Sequence, residues 1–136
     1  MNVRLCIVAA GVGLLLPAIQ ISAHHSFAAE YDATKPVTLK GAVTRVEWTN
    51  PHARFYVDVK DESGSVTNWN FELASPNVLV RNGWTRNSLK IGDEVTIQGS
   101  LAKDGAKMAN ARVVTLADGR RVFAGSPAAE GGPPPQ

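Results

Sequence analysis

Cysteine is almost missing from this sequence: Cys6 is the only one among 136 residues, and it sits in an apolar run near the start. A domain built from the later residues therefore has neither disulfides nor thiolate metal ligands. Methionine is nearly as scarce. Met1 and Met108 stand at opposite ends of the chain, so no thioether set for Cu(I) can be assembled. Charge of one sign is also lacking. The 14 Lys and Arg against 12 Asp and Glu give a net +2, which supplies no basic surface for nucleic acid. No serine stands in a nucleophile-elbow pattern. Glu47, Asp58 and Glu72 read as separate surface charges on strands rather than as a working acid and base. Without these constellations, the expectation is a binding domain and not an enzyme.

What is present begins with the layout of an export signal. Arg4 is the only charge before an apolar stretch from Leu5 to Ile21, which Ser22 and Ala23 close with small side chains. At about 17 residues the stretch is at the lower limit for a membrane span, and Gly11, Gly13, Pro17 and Gln20 interrupt it. Residues 1–23 are thus expected to be a signal peptide. Its removal would take 23 of the 136 residues, leave 113 with no stable membrane anchor, and place the product in the periplasm or outside the cell. A chain of that length supports one domain. Residues 24–35 read as an N-terminal arm and 36–124 as the domain. Residues 125–136, rich in Gly and Pro with no large apolar side chain, read as a disordered tail.

Within the domain the hydrophobic period is two, not 3.6. Val37, Leu39, Val43 and Val46 form one long strand with a slip near Gly41, expected to mark a bulge or bend. Phe55, Val57 and Val59 alternate with Tyr56, Asp58 and Lys60, and Trp69, Phe71 and Leu73 alternate with Asn68 and Asn70. Ser75-Pro76 supplies an N-cap and a first helical residue, Asn82-Gly83 a stop, and Trp84 a plug beneath the sheet. Strands through Val95–Ile97 and Ala109–Val114 follow. Asp118-Gly119 then turns the chain into a short Arg121-Val122-Phe123 strand. Three strands, one short helix and two more strands predict an all-β domain with one short helix, an OB-like five-stranded small β-barrel.

The motifs His24-His25-Ser26-Phe27, Trp48-Thr49-Asn50-Pro51-His52, Gly83-Trp84 and Leu89-Lys90-Ile91-Gly92-Asp93 span most of the domain. In these the chain resembles an uncharacterised family of small secreted bacterial proteins built on a domain of unknown function. The resemblance implies compartment and fold but no activity. At fold level alone the chain is similar to small periplasmic barrels that carry copper or silver through His, Met and a nearby Trp. Trp48 and His52 match that combination and the methionines do not.

Cleavage after Ala23 would leave His24 with both a free amine and an imidazole, which chelate one metal ion together. His25 and His52 are the only other imidazoles. Nitrogen ligands suit Cu(II) or Zn(II), and their protons must be displaced, so binding weakens as pH falls. Phe27 is expected to tuck into the sheet and carry His24 and His25 toward His52. Glu30, Asp32 and Glu47 are candidates to orient an imidazole ring. Trp48, Asn50, Trp69 and Trp84 are candidates for contact with a small ligand or an envelope protein. The same histidines also fit a plainer role, two in a polar terminus and His52 as a turn residue in a structural or interaction module without metal.

Overall fold

The computed structural model describes residues 27–125. Residues 1–26, which include the expected signal peptide, His24 and His25, and everything from Ser126 onward lie outside the described residues. The alternation seen in the sequence becomes six strands and two short helices: α1 (Phe27–Glu30), β1 (Tyr31–Glu47), β2 (Arg54–Lys60), β3 (Val66–Glu72), α2 (Pro76–Arg81), β4 (Glu94–Ala102), β5 (Met108–Thr115) and β6 (Arg121–Phe123). β1, β2 and β3 form an antiparallel meander, β1 also pairs with β4, and β4 pairs with β5. β5 then runs parallel to the end of β3 and closes the five strands on themselves. With α2 between β3 and β4, this is the OB-like order expected from the sequence. β6 adds a short antiparallel edge to β5.

The inward side chains fill the closed sheet. Phe55 and Phe71 face each other in register with rings 5.2 Å apart, and Val43, Val57, Val95, Ile97 and Val114 are buried around them. Each such side chain contributes about 1.5–3 kcal/mol by leaving water, which is how a domain without disulfides holds together. α2 covers the core through Leu79. Ser75 Oγ accepts from the Val78 N–H at 3.4 Å, Pro76 opens the helix, and Gly83 takes φ +89 to end it. Trp84 follows, 2 % exposed, with its indole N–H donating to the Phe123 carbonyl at 2.8 Å.

Three details differ from expectation. The bulge in β1 is not at Gly41 but at Thr44, since Val43 pairs with Val57 and Arg45 with Tyr56. Gly41 serves a close approach instead: a Cβ there would lie 2.1 Å from the Asp58 carbonyl oxygen of β2. β1 begins at Tyr31, ahead of Pro36, and α1 precedes it where an irregular arm was expected. Gly125, placed with the tail by composition, is buried against Phe123. Among the described residues no helix is long and apolar enough to cross a membrane.

Candidate functional site

Trp48 to Ala53 connect β1 to β2, with a cis peptide between Asn50 and Pro51. Ala53 continues the pairing of β2 with β3 by one step: its N–H donates to the Ala74 carbonyl at 3.1 Å and its carbonyl accepts from the Leu73 N–H at 2.9 Å. His52, next to this clamp, is thereby brought against the end of β3. Its Nδ1 lies 3.0 Å from Glu72 Oε1, and the other carboxylate oxygen of Glu72 accepts from Arg54. Arg54 also points its other terminal nitrogen toward Asn70 Oδ1 at 3.5 Å and Met108 Sδ at 3.6 Å.

Glu72 is the centre of this cluster, and its burial corrects its reading as surface charge. Alternation does send it away from Phe71 and Leu73, off the core face. Yet β3 is paired on both sides at that point: Arg54 of β2 stands opposite Glu72 on one side and Asn110 of β5 on the other. Glu72 and Asn110 are each only 5 % exposed. Tyr31 lies over the same end. It is 1 % exposed, and its hydroxyl comes close enough to Glu72 to feel the carboxylate without completing a well-formed hydrogen bond. Burial, followed by the negative charge of Glu72, holds the phenol well above the usual tyrosine range, with Arg54 acting in the opposite direction. A buried carboxylate tolerates this position because a guanidinium and an imidazole satisfy it.

The hydrogen bond to Glu72 decides what His52 can do. A carboxylate at Nδ1 favours the neutral tautomer with its proton there and leaves the Nε2 lone pair unclaimed by Glu72, the arrangement common in metal-bound histidines. The His52 side chain is 29 % exposed. Two of the carboxylates expected to orient a ring, Asp32 and Glu47, do other things. Asp32 accepts from the Thr34 N–H at 2.9 Å, and Glu47 pairs with Arg45 at 2.7 Å. Among the described residues no three His, Cys, Asp or Glu side chains gather as a metal site. His24 and His25 lie outside the described residues. Phe27, two residues beyond His25, stacks on the Tyr31 ring with centroids 5.6 Å apart. The Lys103 N–H donates to the Glu30 carbonyl at 2.9 Å. The N-terminal segment is thus fastened beside Tyr31, whose phenol feels the charge of Glu72.

The predicted ligand-contact residues scatter. Trp48 and Asn50 share the turn with His52, the indole half-buried against the core and Asn50 exposed. Trp69 is half-buried on the inward face of β3, stacked toward Phe71 and capped by Lys107 Nζ at 5.3 Å. Trp84 is sealed in the core with its N–H occupied and offers no face to a ligand, which corrects its place in that group. The residues missed by sequence reasoning are Tyr31, Arg54 and Glu72. Arg54 was within reach, because alternation after His52 puts the two on one side of the strand.

A family model described as Family of unknown function (DUF6152) matches residues 13–111. No curated protein matches the chain. Among solved structures the chain is similar to the N-terminal domain of PriB protein from Thermoanaerobacter tencongensis, a structure described as dimeric. The identity is 20%, with 62% of this chain and 97% of that chain covered at a TM-score of 0.42.

Proposed function

Taking as premise that this chain belongs to that family of unknown function, we propose that it is an exported, non-enzymatic binding domain whose ligand is Cu(II) or Zn(II). The observation that carries this reading is the His52–Glu72–Arg54 relay: a buried carboxylate, itself held by a cation, engages Nδ1 of the ring and leaves Nε2 as the nitrogen for a metal. One imidazole is not a site. The remaining nitrogen donors are His24, through its amine and ring once residues 1–23 are removed, and His25. The stack of Phe27 on Tyr31 supports their arrival. The residues from His24 to Phe27 span at most about 10 Å when extended, so the reading requires His52 to lie within that reach of Phe27.

Calorimetric titration tests the assignment on protein beginning at His24, on the same protein with its terminal amine acetylated, and on His52→Ala. Acetylation and the substitution are each expected to weaken Cu(II) or Zn(II) binding by about tenfold or more, because each removes a nitrogen ligand. Unchanged affinity in the acetylated form removes the amine from the site, and unchanged affinity in His52→Ala removes the turn. The hydrogen bond from His52 to Glu72 also favours a second reading, an interaction module of the cell envelope in which His52 only fastens the turn to β3. Absence of any metal heat from the processed protein selects it.

A further inference from the structure

On the side of the sheet formed by β1, β4, β5 and β6 the chain makes a groove of about 340 Å³ that the histidine cluster does not use. Its shape comes from two irregularities in pairing. Tyr31 pairs with Ala102 and Pro36 with Ser100, so β1 advances five residues while β4 advances two, and the excess chain near Ala33 stands out as one wall. Across from it Gln98 pairs with Val113 but Gly99 with Ala111, which leaves Arg112 as the extra residue of a β-bulge. A bulge turns a side chain out of the regular alternation. The carbonyl of Arg112 is not stranded by it, since it accepts from the Ala124 N–H at 2.8 Å. Gly99 lets β4 approach β5 closely at this bulge, since a Cβ there would lie 2.1 Å from the Asn110 carbonyl oxygen.

The lining is cationic on one side. Arg112 and Arg121 both border the groove, beside Ser100 and Thr38, and no Asp or Glu does. Among the described residues neither guanidinium pairs with a carboxylate; Arg121 donates only to the Gln98 side-chain oxygen, at 3.4 Å. Two arginines border one concavity with no acid among its lining residues, and the planar fork of a guanidinium matches a carboxylate or phosphate. The volume is that of a small-molecule site. We propose that this groove binds a small organic anion, its carboxylate or phosphate group clamped by Arg112 and Arg121 and its body lying on Pro36, Gly99 and Ser100.

This site is independent of the metal reading and is tested separately. Amide chemical-shift titration of the full chain with succinate and with inorganic phosphate, at constant ionic strength set by chloride, is expected to give saturable shifts at Gly99, Ser100, Arg112 and Val113. The ligand that saturates at lower concentration identifies which anionic group is preferred. Arg112→Gln and Arg121→Gln, both at exposed positions, should keep the spectrum of a folded domain and each weaken binding about tenfold. The proposal is overturned if neither anion saturates, if chloride alone produces the same shifts, or if both variants bind as the parent does.

Discussion

Arg54→Met and Glu72→Gln remove opposite halves of one ion pair, and the packing makes their consequences unequal. The Glu72 side chain is 6 % exposed and that of Arg54 30 %. In Glu72→Gln the buried charge disappears, an amide oxygen remains for His52, and the guanidinium turns toward water. The loss is one charge-assisted contact, and because His52 keeps an acceptor it lies near the lower end of about 1.5–3 kcal/mol. In Arg54→Met the carboxylate stays sealed from water with His52 as its remaining partner. Stranding a buried charge in this way costs about 3–5 kcal/mol, and the retained His52 bond places the expectation near the lower end. Arg54→Met should therefore cost about 1–2 kcal/mol more than Glu72→Gln. The double variant should fall short of the sum, because no charge is stranded once Gln stands at 72. Urea unfolding at pH 7, followed by tryptophan emission, measures all three. Equal losses, or a larger one for Glu72→Gln, refute the view that Glu72 is a buried anion held by Arg54.

Two further substitutions probe neighbouring features. Tyr31→Phe deletes a buried hydroxyl that lies near Glu72 without a well-formed hydrogen bond, so stability near neutral pH should stay within about 1 kcal/mol of the parent; a loss above about 2 kcal/mol would mean that the contact with Glu72 is a full hydrogen bond. Because the folded-state pKa of Tyr31 is raised, its contribution is complete below the unfolded value of about 10 and is lost as pH climbs above it, where only the unfolded chain ionises readily. Denaturation curves measured up to strongly alkaline pH should fall less steeply for Tyr31→Phe; parallel curves would contradict the shift. Gly41→Ala drives a Cβ against the Asp58 carbonyl oxygen, a main-chain atom that cannot step aside. A loss of about 3 kcal/mol in thermal unfolding is expected, and one below about 0.5 kcal/mol would show that β1 and β2 separate freely there.

Much of the fold was legible in the chain because its signals are local. Phe55, Val57 and Phe71 alternate with polar neighbours. Ser75-Pro76 and Asn82-Gly83 carry the chemistry of a helix start and stop, and a period of two leaves little choice but sheet. Even the irregularity near Gly41 was visible, although composition could not separate a close approach at Gly41 from a bulge at Thr44. Both disturb alternation in the same few residues, and only the pairing with β2 distinguishes them.

The site was legible in part. His52 stood out because the chain has few imidazoles and this one follows a turn. Its partner Glu72 did not, since on its own strand it is simply a polar residue facing away from the core.

The sequence by itself determined where strands run, which face of each goes inward and where α2 begins and ends, because those depend on neighbours within a few residues. Only the tertiary structure decided that Glu72 is buried, since that follows from β5 pairing Asn110 beside it, 38 positions further along. The groove at Arg112 has the same origin. Its bulge exists only relative to β4, and no single strand carries the register of another.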